Sequence, residues 1–192
     1  MNWMQLCVKQ YKSTKLYLNL CLGLTLSLFS FQLNAAEPAS EEYKIKAALI
    51  YKITRFVEWP RQIPPKTTAY FGLCLLGRDD FGRAIDALQG NTIGQKPILI
   101  QRFNQSNSIN QQCQLVFISD SKQAFLKPIL RTAHQHPVLT IGDSPSFAEK
   151  GGMIQLSYHN KRIEFKINLN SVKKAGLKIY APLLEMATIV GD

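Results

Sequence analysis

Hydrophobic positions along the chain follow two periods, one typical of helices and one typical of buried strands. From Glu41 to Glu58, apolar residues recur every three or four positions with basic residues between them, which predicts an amphipathic helix. Short, almost continuous apolar runs follow, rich in β-forming residues, and they predict strands that are covered on both faces. The predicted strands are residues 67–76, 95–103, 114–119 and 137–141.

Polar and turn-forming residues separate these strands and predict the other elements. Helices are predicted over residues 81–88, 122–134 and 171–175, with an apolar helical tail over 179–190. Residues 153–157 and 162–168 flank a polar tip, which predicts a β-hairpin. Because apolar strands alternate with helices, the order predicts an α/β fold. We expect a three-layer sandwich with a largely parallel, Rossmann-like sheet and the antiparallel hairpin at one edge.

The first 36 residues have the composition of a secretory signal peptide. Three lysines and no acidic residue precede an apolar run from Leu16 to Phe31, and Ala35 and Ala36 precede a polar segment. As a helix of about 24 Å, this run is shorter than the roughly 30 Å hydrocarbon core of a bilayer, so an uncleaved anchor is the weaker interpretation. We expect residues 1–36 to be removed and residues 37–192 to form a single α/β domain.

Composition and charge narrow the classes of partner. The 192 residues are 46% hydrophobic and 19% charged, which suits one packed domain and excludes a disordered chain. The formal charge is +10; without the three N-terminal lysines, 20 basic residues face 13 acidic ones, which leaves +7. An exported basic domain meets an acidic protein face or anionic lipid, so we expect no nucleic-acid partner.

The sequence contains none of the common catalytic, nucleotide-binding or metal-binding motifs, such as GxSxG, HExxH, a Walker loop or CxxC. Asp79, Asp120 and Asp143 follow predicted strands, where carboxylates are often catalytic, but helix capping explains them at least as well. A hydrolase would need two of them within about 10 Å of each other on a cleft. We therefore expect no enzyme activity, no cofactor and no metal.

Two cysteines, Cys74 and Cys113, lie beyond the predicted signal peptide. Cys74 is inside the first predicted strand and Cys113 begins the third, and such strands are commonly neighbours in a doubly wound sheet. A disulfide would close 39 residues and stabilise the fold by about 4 kcal/mol. A structural staple is the favoured interpretation, a redox-sensitive element is the second, and two separate buried thiols are the third.

Several sequence blocks, taken in order, carry a resemblance over essentially all of residues 37–192. They are YKIKAA at 43–48, FVEWP at 56–60, LCLLG at 73–77, CQLVFIS at 113–119, VLTIGD at 138–143, Phe147 with GGMI at 151–154, FKIN at 165–168 and AGLK at 175–178. In their joint order and spacing they resemble the YfiR family of periplasmic proteins.

The resemblance implies a periplasmic regulator with an α/β sandwich fold that forms a homodimer. Members of this family bind the periplasmic domain of an inner-membrane diguanylate cyclase and hold it inactive, which lowers cyclic-di-GMP and affects biofilm and motility. An OmpA-like outer-membrane lipoprotein can sequester the regulator. Cys74 and Cys113 match positions that can be disulfide-linked in the family. A second cysteine pair around residues 142–152 is missing here, which weakens any inference of a redox switch, and Tyr180-Ala181-Pro182 replaces small hydroxyl residues.

Such a regulator needs an exposed aromatic or apolar patch with charge at its rim. The candidates are Trp59, with Arg55 and Glu58 beside it, and Tyr180 near the end of the chain. Trp59 has an equally plausible structural role, as a cap of the first helix against the core. The alternative function is a periplasmic small-molecule-binding module that feeds another membrane signalling protein, with its cleft at the carboxyl edge of the sheet.

Overall fold

The structure is a computed structural model that describes residues 40–60, 69–109 and 112–191. These residues belong to one compact unit, Glu37–Asp192. The predicted signal peptide at residues 1–36 lies outside the described residues and stays a prediction. No helix within the described residues has the length and apolar character needed to cross a membrane.

Short helices and ten strands make up the described part of the chain. The α-helices are α1 (Glu41–Ile53), α2 (Arg83–Asp86), α3 (Leu126–Ala133), α4 (Leu169–Lys174) and α5 (Ala181–Leu184). Three 3-10 turns are Thr54–Phe56, Ser106–Ser108 and Asp120–Phe125. The strands are β1 (Val57–Glu58), β2 (Phe71–Leu76), β3 (Thr92–Ile93), β4 (Lys96–Phe103), β5 (Leu115–Ile118), β6 (Leu139–Gly142), β7 (Ile154–His159), β8 (Arg162–Asn168), β9 (Lys178–Ile179) and β10 (Thr188–Val190).

Eight strands form one mixed sheet in the order β10-β8-β7-β6-β5-β2-β4-β3. The five neighbours from β4 to β7 are parallel, and β8 returns antiparallel to β7 as the predicted hairpin. Strand β10 lies outside the hairpin, parallel to β8, and β3 closes the opposite edge. The predicted α/β fold with a largely parallel sheet and an antiparallel hairpin is confirmed, whereas the three-layer description stays a prediction.

Alternate residues of the central strands belong to two separate hydrophobic clusters. Leu73 and Leu75 of β2 join the larger cluster, which includes Ile50 of α1. Cys74 and Leu76 of the same strand join the second cluster, which includes Ile129 of α3. Because successive side chains of a strand point to opposite faces, both faces of β2 are covered, and this explains its unbroken apolar sequence.

The segment from Glu41 to Glu58 is not one helix as predicted. The α-helix ends at Ile53, a 3-10 turn follows, and Val57 and Glu58 form β1, which pairs antiparallel with β9. Val57, which continues the helical period in the sequence, pairs instead with the distant Ile179. Tertiary contacts therefore override the local pattern at the end of α1.

The predicted helical tail at residues 179–190 is wrong. Ile179 pairs with Val57 in the small two-stranded sheet, and Thr188–Val190 pairs with Lys166–Asn168 as the outermost strand of the large sheet. Only the four residues of α5 between them are helical, with a proline in the first turn. Both strands depend on partners that are distant in sequence, which periodicity alone does not reveal.

Helix α3 begins later than predicted and so accommodates Pro128. Residues 120–125 form a 3-10 turn and the α-helix starts at Leu126, which places Pro128 in the first turn. The first-turn N–H groups of a helix have no partner within the helix, so the missing donor of proline costs little there.

Cys74 and Cys113 form a disulfide with a Cα–Cα distance of 5.8 Å. The predicted adjacency of their strands is correct, since β2 and β5 are parallel neighbours with Leu73 opposite Leu115. Both cysteines are buried in the second hydrophobic cluster. The alternative of two separate thiols is therefore wrong.

Candidate docking surface

The short sheet of β1 and β9 brings together two parts of the chain that are more than a hundred residues apart. Glu58 lies opposite Lys178 in this ladder, and the N–H of Tyr180 donates a hydrogen bond to the carbonyl of Phe56 at 2.9 Å. Tyr180 is thereby fixed beside the turn that holds Arg55. The short sheet thus positions the predicted residues from both ends of the domain.

Tyr180 and Glu58 contact each other directly. The Tyr180 hydroxyl donates to Oε2 of Glu58 at 3.2 Å, and Nζ of Lys178 lies 3.7 Å from the other carboxylate oxygen. This hydrogen bond, together with the negative charge of Glu58, raises the pKa of Tyr180 above its ordinary value. Tyr180 is 47% exposed, which is unusual for a large aromatic residue. An exposed ring with fixed orientation is the type of side chain that anchors protein interfaces.

Trp59 is held by the core on one side. Its Nε1–H donates to the carbonyl of Gln114 at 3.1 Å, and its ring meets Phe71 edge-to-face at a centroid distance of 5.2 Å. The side chain is only half-buried. Trp59 therefore has the structural contacts of a cap on the core and also presents part of its indole to solvent.

A groove of about 580 Å³ lies between Arg55, Trp59 and Tyr180. Its other lining residues are Thr54, Val57, Phe71, Thr92, Ile93, Gly94, Lys96 and Gln114. A second cavity of about 400 Å³ is lined by Glu58, Trp59, Pro60, Gly176 and Lys178, so Trp59 belongs to both. We call Arg55, Glu58, Trp59 and Tyr180 with these two cavities the docking groove.

The docking groove combines aromatic surface with charge at its edge. Arg55 is exposed, and its guanidinium lies 5.3 Å from the centre of the Tyr51 ring. Basic Lys178 lies beside the acidic Glu58, and exposed Arg55 lines the groove, so the rim presents charges of both signs. An apolar centre with a polar, charged rim is the common anatomy of protein interfaces. All four residues predicted from the sequence are therefore found at one surface.

A second cluster of polar residues lies at the opposite, carboxyl edge of the sheet. Nζ of Lys46 is 2.7 Å from Oδ2 of Asp143 and 2.5 Å from a carboxylate oxygen of Glu42. The Tyr43 hydroxyl donates to Oδ2 of Asp143 at 2.8 Å, and the other Asp143 oxygen accepts from the N–H of Asp120 at 3.0 Å. The side chains of Lys46 and Asp143 are only 2% and 4% exposed. We call Glu42, Tyr43, Lys46 and Asp143 the buried ionic cluster.

The buried ionic cluster changes the titration of Tyr43. Burial first, and then the charge and hydrogen bond of Asp143, raise the pKa of Tyr43 far above its ordinary value. Asp143 thus uses both oxygens to join α1 to the ends of β5 and β6. Asp79 instead accepts from the Phe81 N–H and bonds Arg102, while Oδ2 of the adjacent Asp80 lies 3.4 Å from the Tyr43 hydroxyl.

Sequence reasoning missed Lys46 and Tyr43, although a signal was present. Lys46 stands four and seven residues before Ile50 and Ile53, which places it on the buried stripe of α1 and not on its polar side. A lysine at such a position requires a buried carboxylate partner. Among the described residues, no group of three or more His, Cys, Asp or Glu side chains is placed to hold a metal ion.

Comparisons with known proteins give a family and a similar structure. A family model described as YfiR/HmsC-like matches residues 43–188. A solved structure, described as a conserved domain protein from Vibrio cholerae O1 biovar El Tor str. N16961, is similar with a TM-score of 0.54 at 11% sequence identity. The match covers 77% of this chain and 59% of that one, so this chain spans about three fifths of the length of that relative. At this identity the similarity concerns the fold alone.

Proposed function

Because this chain belongs to the YfiR/HmsC-like family, a family of periplasmic regulators, we propose that it binds and represses the periplasmic domain of an inner-membrane diguanylate cyclase. Repression lowers cyclic-di-GMP, and through it biofilm formation and motility are controlled. The observation that supports this proposal best is the convergence of Arg55, Trp59 and Tyr180 on one exposed groove, with Glu58 hydrogen-bonded to Tyr180 at its edge.

Repression of this kind requires only a difference in affinity for two conformations of the partner. A regulator that binds the inactive conformation about 10⁴-fold more tightly moves the equilibrium from 1:99 to 99:1. The docking groove offers pre-positioned anchors for such binding: Trp59 is fixed by Gln114 and Phe71, and Tyr180 by Glu58. Anchors that are ordered before binding lose little conformational entropy when the partner arrives.

Export and assembly complete the proposal. Residues 1–36 act as a signal peptide that is removed, and the Cys74–Cys113 disulfide suits an oxidising compartment such as the periplasm. The protein acts as a homodimer, and an OmpA-like outer-membrane lipoprotein competes for it with the cyclase. Mass spectrometry of the protein from a periplasmic extract tests the removal of residues 1–36. The expected mass is that of a chain that begins at residue 37.

The binding test uses the isolated periplasmic domain of a candidate cyclase, encoded near this gene, in isothermal titration calorimetry. We expect Tyr180→Ala and Arg55→Ala to weaken binding at least tenfold, since exposed aromatic and arginine anchors dominate interface energies. Phe125→Ala is the matched control, because Phe125 is also an exposed aromatic, at 63%, but lies outside the docking groove. It should bind like the wild type.

Trp59→Ala needs a separate control, since the indole also contacts the core. Its thermal unfolding is compared with that of Leu156→Ala, which removes a buried side chain of the same hydrophobic cluster and lines neither cavity of the docking groove. Loss of binding in Trp59→Ala but not in Leu156→Ala, at matched stability, supports a direct contact. Wild-type affinity in both Tyr180→Ala and Trp59→Ala would show that the partner docks elsewhere.

A second function is favoured by the volume of the groove. Ligand pockets commonly measure about 300–1,000 Å³, and the groove measures about 580 Å³. It lies at the amino ends of β2 and β4, where Phe71 and Lys96 line it, and not at the carboxyl edge expected from the sequence. A smaller cavity of about 250 Å³ does lie at that edge, beside Leu76 and Lys122.

The small-molecule alternative is tested by thermal denaturation in the presence of candidate metabolites. A ligand at a hundred times its dissociation constant stabilises the folded state by about 2.7 kcal/mol, which is an easily measured rise in melting temperature. A rise that disappears in Trp59→Ala but persists in Phe125→Ala would place the ligand in the docking groove. The alternative would be rejected if no compound that alters cyclase binding raised the melting temperature of this protein.

A further inference from the structure

Exposed basic side chains from three neighbouring segments collect near the C-terminal end of α3. Arg131 and His134 come from the end of α3, Lys150 from the turn before β7, and Lys173 and Lys174 from the end of α4. All five residues are exposed. We call these five residues the basic face.

Contacts beneath the basic face hold its three segments together. His134 interacts with the backbone of Gly151 and with the charge of Lys174; loss of hydration and then Lys174 lower its pKa, and the contact with Gly151 opposes them. The hydroxyl of Ser171 donates to the carbonyl of Gly151 at 2.9 Å, which joins α4 to the turn. The three segments that carry these basic side chains are therefore held next to one another.

The positive charge of the basic face is not neutralised by nearby carboxylates. Among the described residues, Arg131, Lys173 and Lys174 form no ion pair. Glu149 is the only acidic residue in the segments 126–134, 144–151 and 169–175, and its carboxylate is bonded to Nζ of Lys166 at 2.7 Å. Glu149 is paired with Lys166 and also attracts Lys150, so the positive excess of the basic face comes from Arg131, Lys173 and Lys174.

The composition of the basic face differs from that of the docking groove. Three of its five residues are lysine and none is Phe, Tyr or Trp, whereas protein interfaces are depleted in lysine and enriched in aromatic side chains. Clusters of solvated Lys and Arg are instead attracted to anionic lipid surfaces, where each contributes about 1 kcal/mol. We propose that the basic face binds the anionic phospholipid headgroups of a membrane surface.

The basic face also lies next to the docking groove along the chain. Lys173 and Lys174 lead through Gly176 to Lys178, and both Gly176 and Lys178 line the cavity that Trp59 shares. A protein held on a membrane by the basic face would therefore keep its docking groove close to the lipid surface. This raises the local concentration of the regulator near any partner whose periplasmic domain emerges from that membrane. The lipid binding itself does not depend on which partner occupies the groove.

The test is co-sedimentation of the protein, purified from periplasmic extract, with two kinds of vesicle. One is pure phosphatidylcholine, and the other contains phosphatidylglycerol at about one part in three. We expect binding to the anionic vesicles alone, and its loss when salt rises from about 50 mM to about 500 mM, because salt screens charges at this range. Vesicle binding through an uncleaved apolar N-terminal segment would instead persist at high salt, because it does not depend on charge.

Two variants with the same loss of charge separate the basic face from net charge in general. The face variant is Arg131→Gln, Lys173→Gln and Lys174→Gln. The control variant is Lys52→Gln, Arg83→Gln and Lys161→Gln, at three exposed positions elsewhere. At about fivefold for each basic residue, the face variant should bind anionic vesicles roughly a hundredfold more weakly, and the control variant should bind much as the wild type does.

Four results would overturn the proposal. The first three are no binding to anionic vesicles, equal binding to both kinds of vesicle, and equal loss in the face and control variants. If the face variant instead lost the cyclase domain while keeping its vesicle binding, the face would be a protein contact and the lipid proposal would be wrong. If Tyr180→Ala loses cyclase binding but keeps vesicle binding, the docking groove and the basic face bind different partners, and each proposal can fail without the other.

Discussion

Lys46 shows how a single residue can join a helix to the edge of a sheet. It is 2% exposed, and its ammonium group meets the carboxylates of Glu42 and Asp143. Burial of either charge alone would be costly, so the pair is tolerated only because both partners are present and further hydrogen bonds satisfy Asp143. The sequence showed that position 46 lies on the apolar stripe of α1, but not which carboxylate would meet it.

Lys46→Met should destabilise the protein by about 3–5 kcal/mol, because it leaves the buried Asp143 carboxylate without its cation. Lys52→Met is the matched control, since Lys52 is exposed on the same helix and should change stability by less than about 0.5 kcal/mol. The measurement is urea denaturation of both variants at neutral pH. Equal stability of the two variants would show that the buried ion pair contributes nothing to the fold.

Tyr43 should make stability sensitive to alkaline pH. Its raised pKa means that the folded protein keeps a proton that the unfolded chain releases above the ordinary tyrosine value of 10.0. Its stabilising contribution is therefore complete below that pH and declines as pH rises above it. Because Tyr43→Phe cannot titrate, the stability difference between wild type and variant should narrow between about pH 9 and about pH 11, by up to about 1.4 kcal/mol per pH unit. A constant difference across this range would show that Tyr43 is not held in its neutral form.

At the scale of elements, local sequence pattern identified the central strands well and the ends of the domain badly. Strands β2 and β5 are unbroken apolar runs of six and four residues, because both of their faces are covered, and their short length favours a strand over a buried helix. Strands β9 and β10 are too short to show a period, and each exists through pairing with a distant partner. The helical tail was predicted because residues 179–190 are mostly apolar. In the structure the apolar residues at its two ends pair in two different sheets.

The disulfide joins two elements and also supports the docking groove. Cys113 precedes Gln114, whose carbonyl accepts from Trp59 and whose side chain accepts from the N–H of Gly72 at 2.6 Å. The bond between Cys74 and Cys113 thus fixes the start of β5 against β2 at the position where the indole is anchored. This location favours a structural staple for the groove over a redox switch.

Replacing both cysteines by alanine should lower the free energy of unfolding by about 4 kcal/mol, the chain-entropy value for a closed segment of 39 residues. Wild-type protein in strong reductant should show a similar loss, whereas the double variant should not respond to reductant. Both are compared by urea denaturation. Wild-type stability that is unchanged by complete reduction would refute the role of the disulfide as a staple.

At the scale of the whole molecule, the surface has two chemically distinct regions. The docking groove presents ordered aromatic side chains between charges of both signs, and the basic face presents lysine and arginine beside a single acidic residue, Glu149, which is paired with Lys166. Trp59 and Tyr180 were predicted as exposed aromatic candidates, and their meeting in space came from the β1–β9 pairing that the sequence did not predict. The basic face was not predicted at all, because its residues come from three separate segments.

The most direct test is the rate of cyclic-di-GMP synthesis by the full-length cyclase in membrane vesicles, measured as purified regulator is added to the periplasmic side. Wild-type protein and Phe125→Ala should lower the rate at the same concentration, and Tyr180→Ala should require at least about ten times more protein. A synthesis rate that stays constant at regulator concentrations that saturate binding, or equal repression by Tyr180→Ala and wild type, would contradict repression through the docking groove.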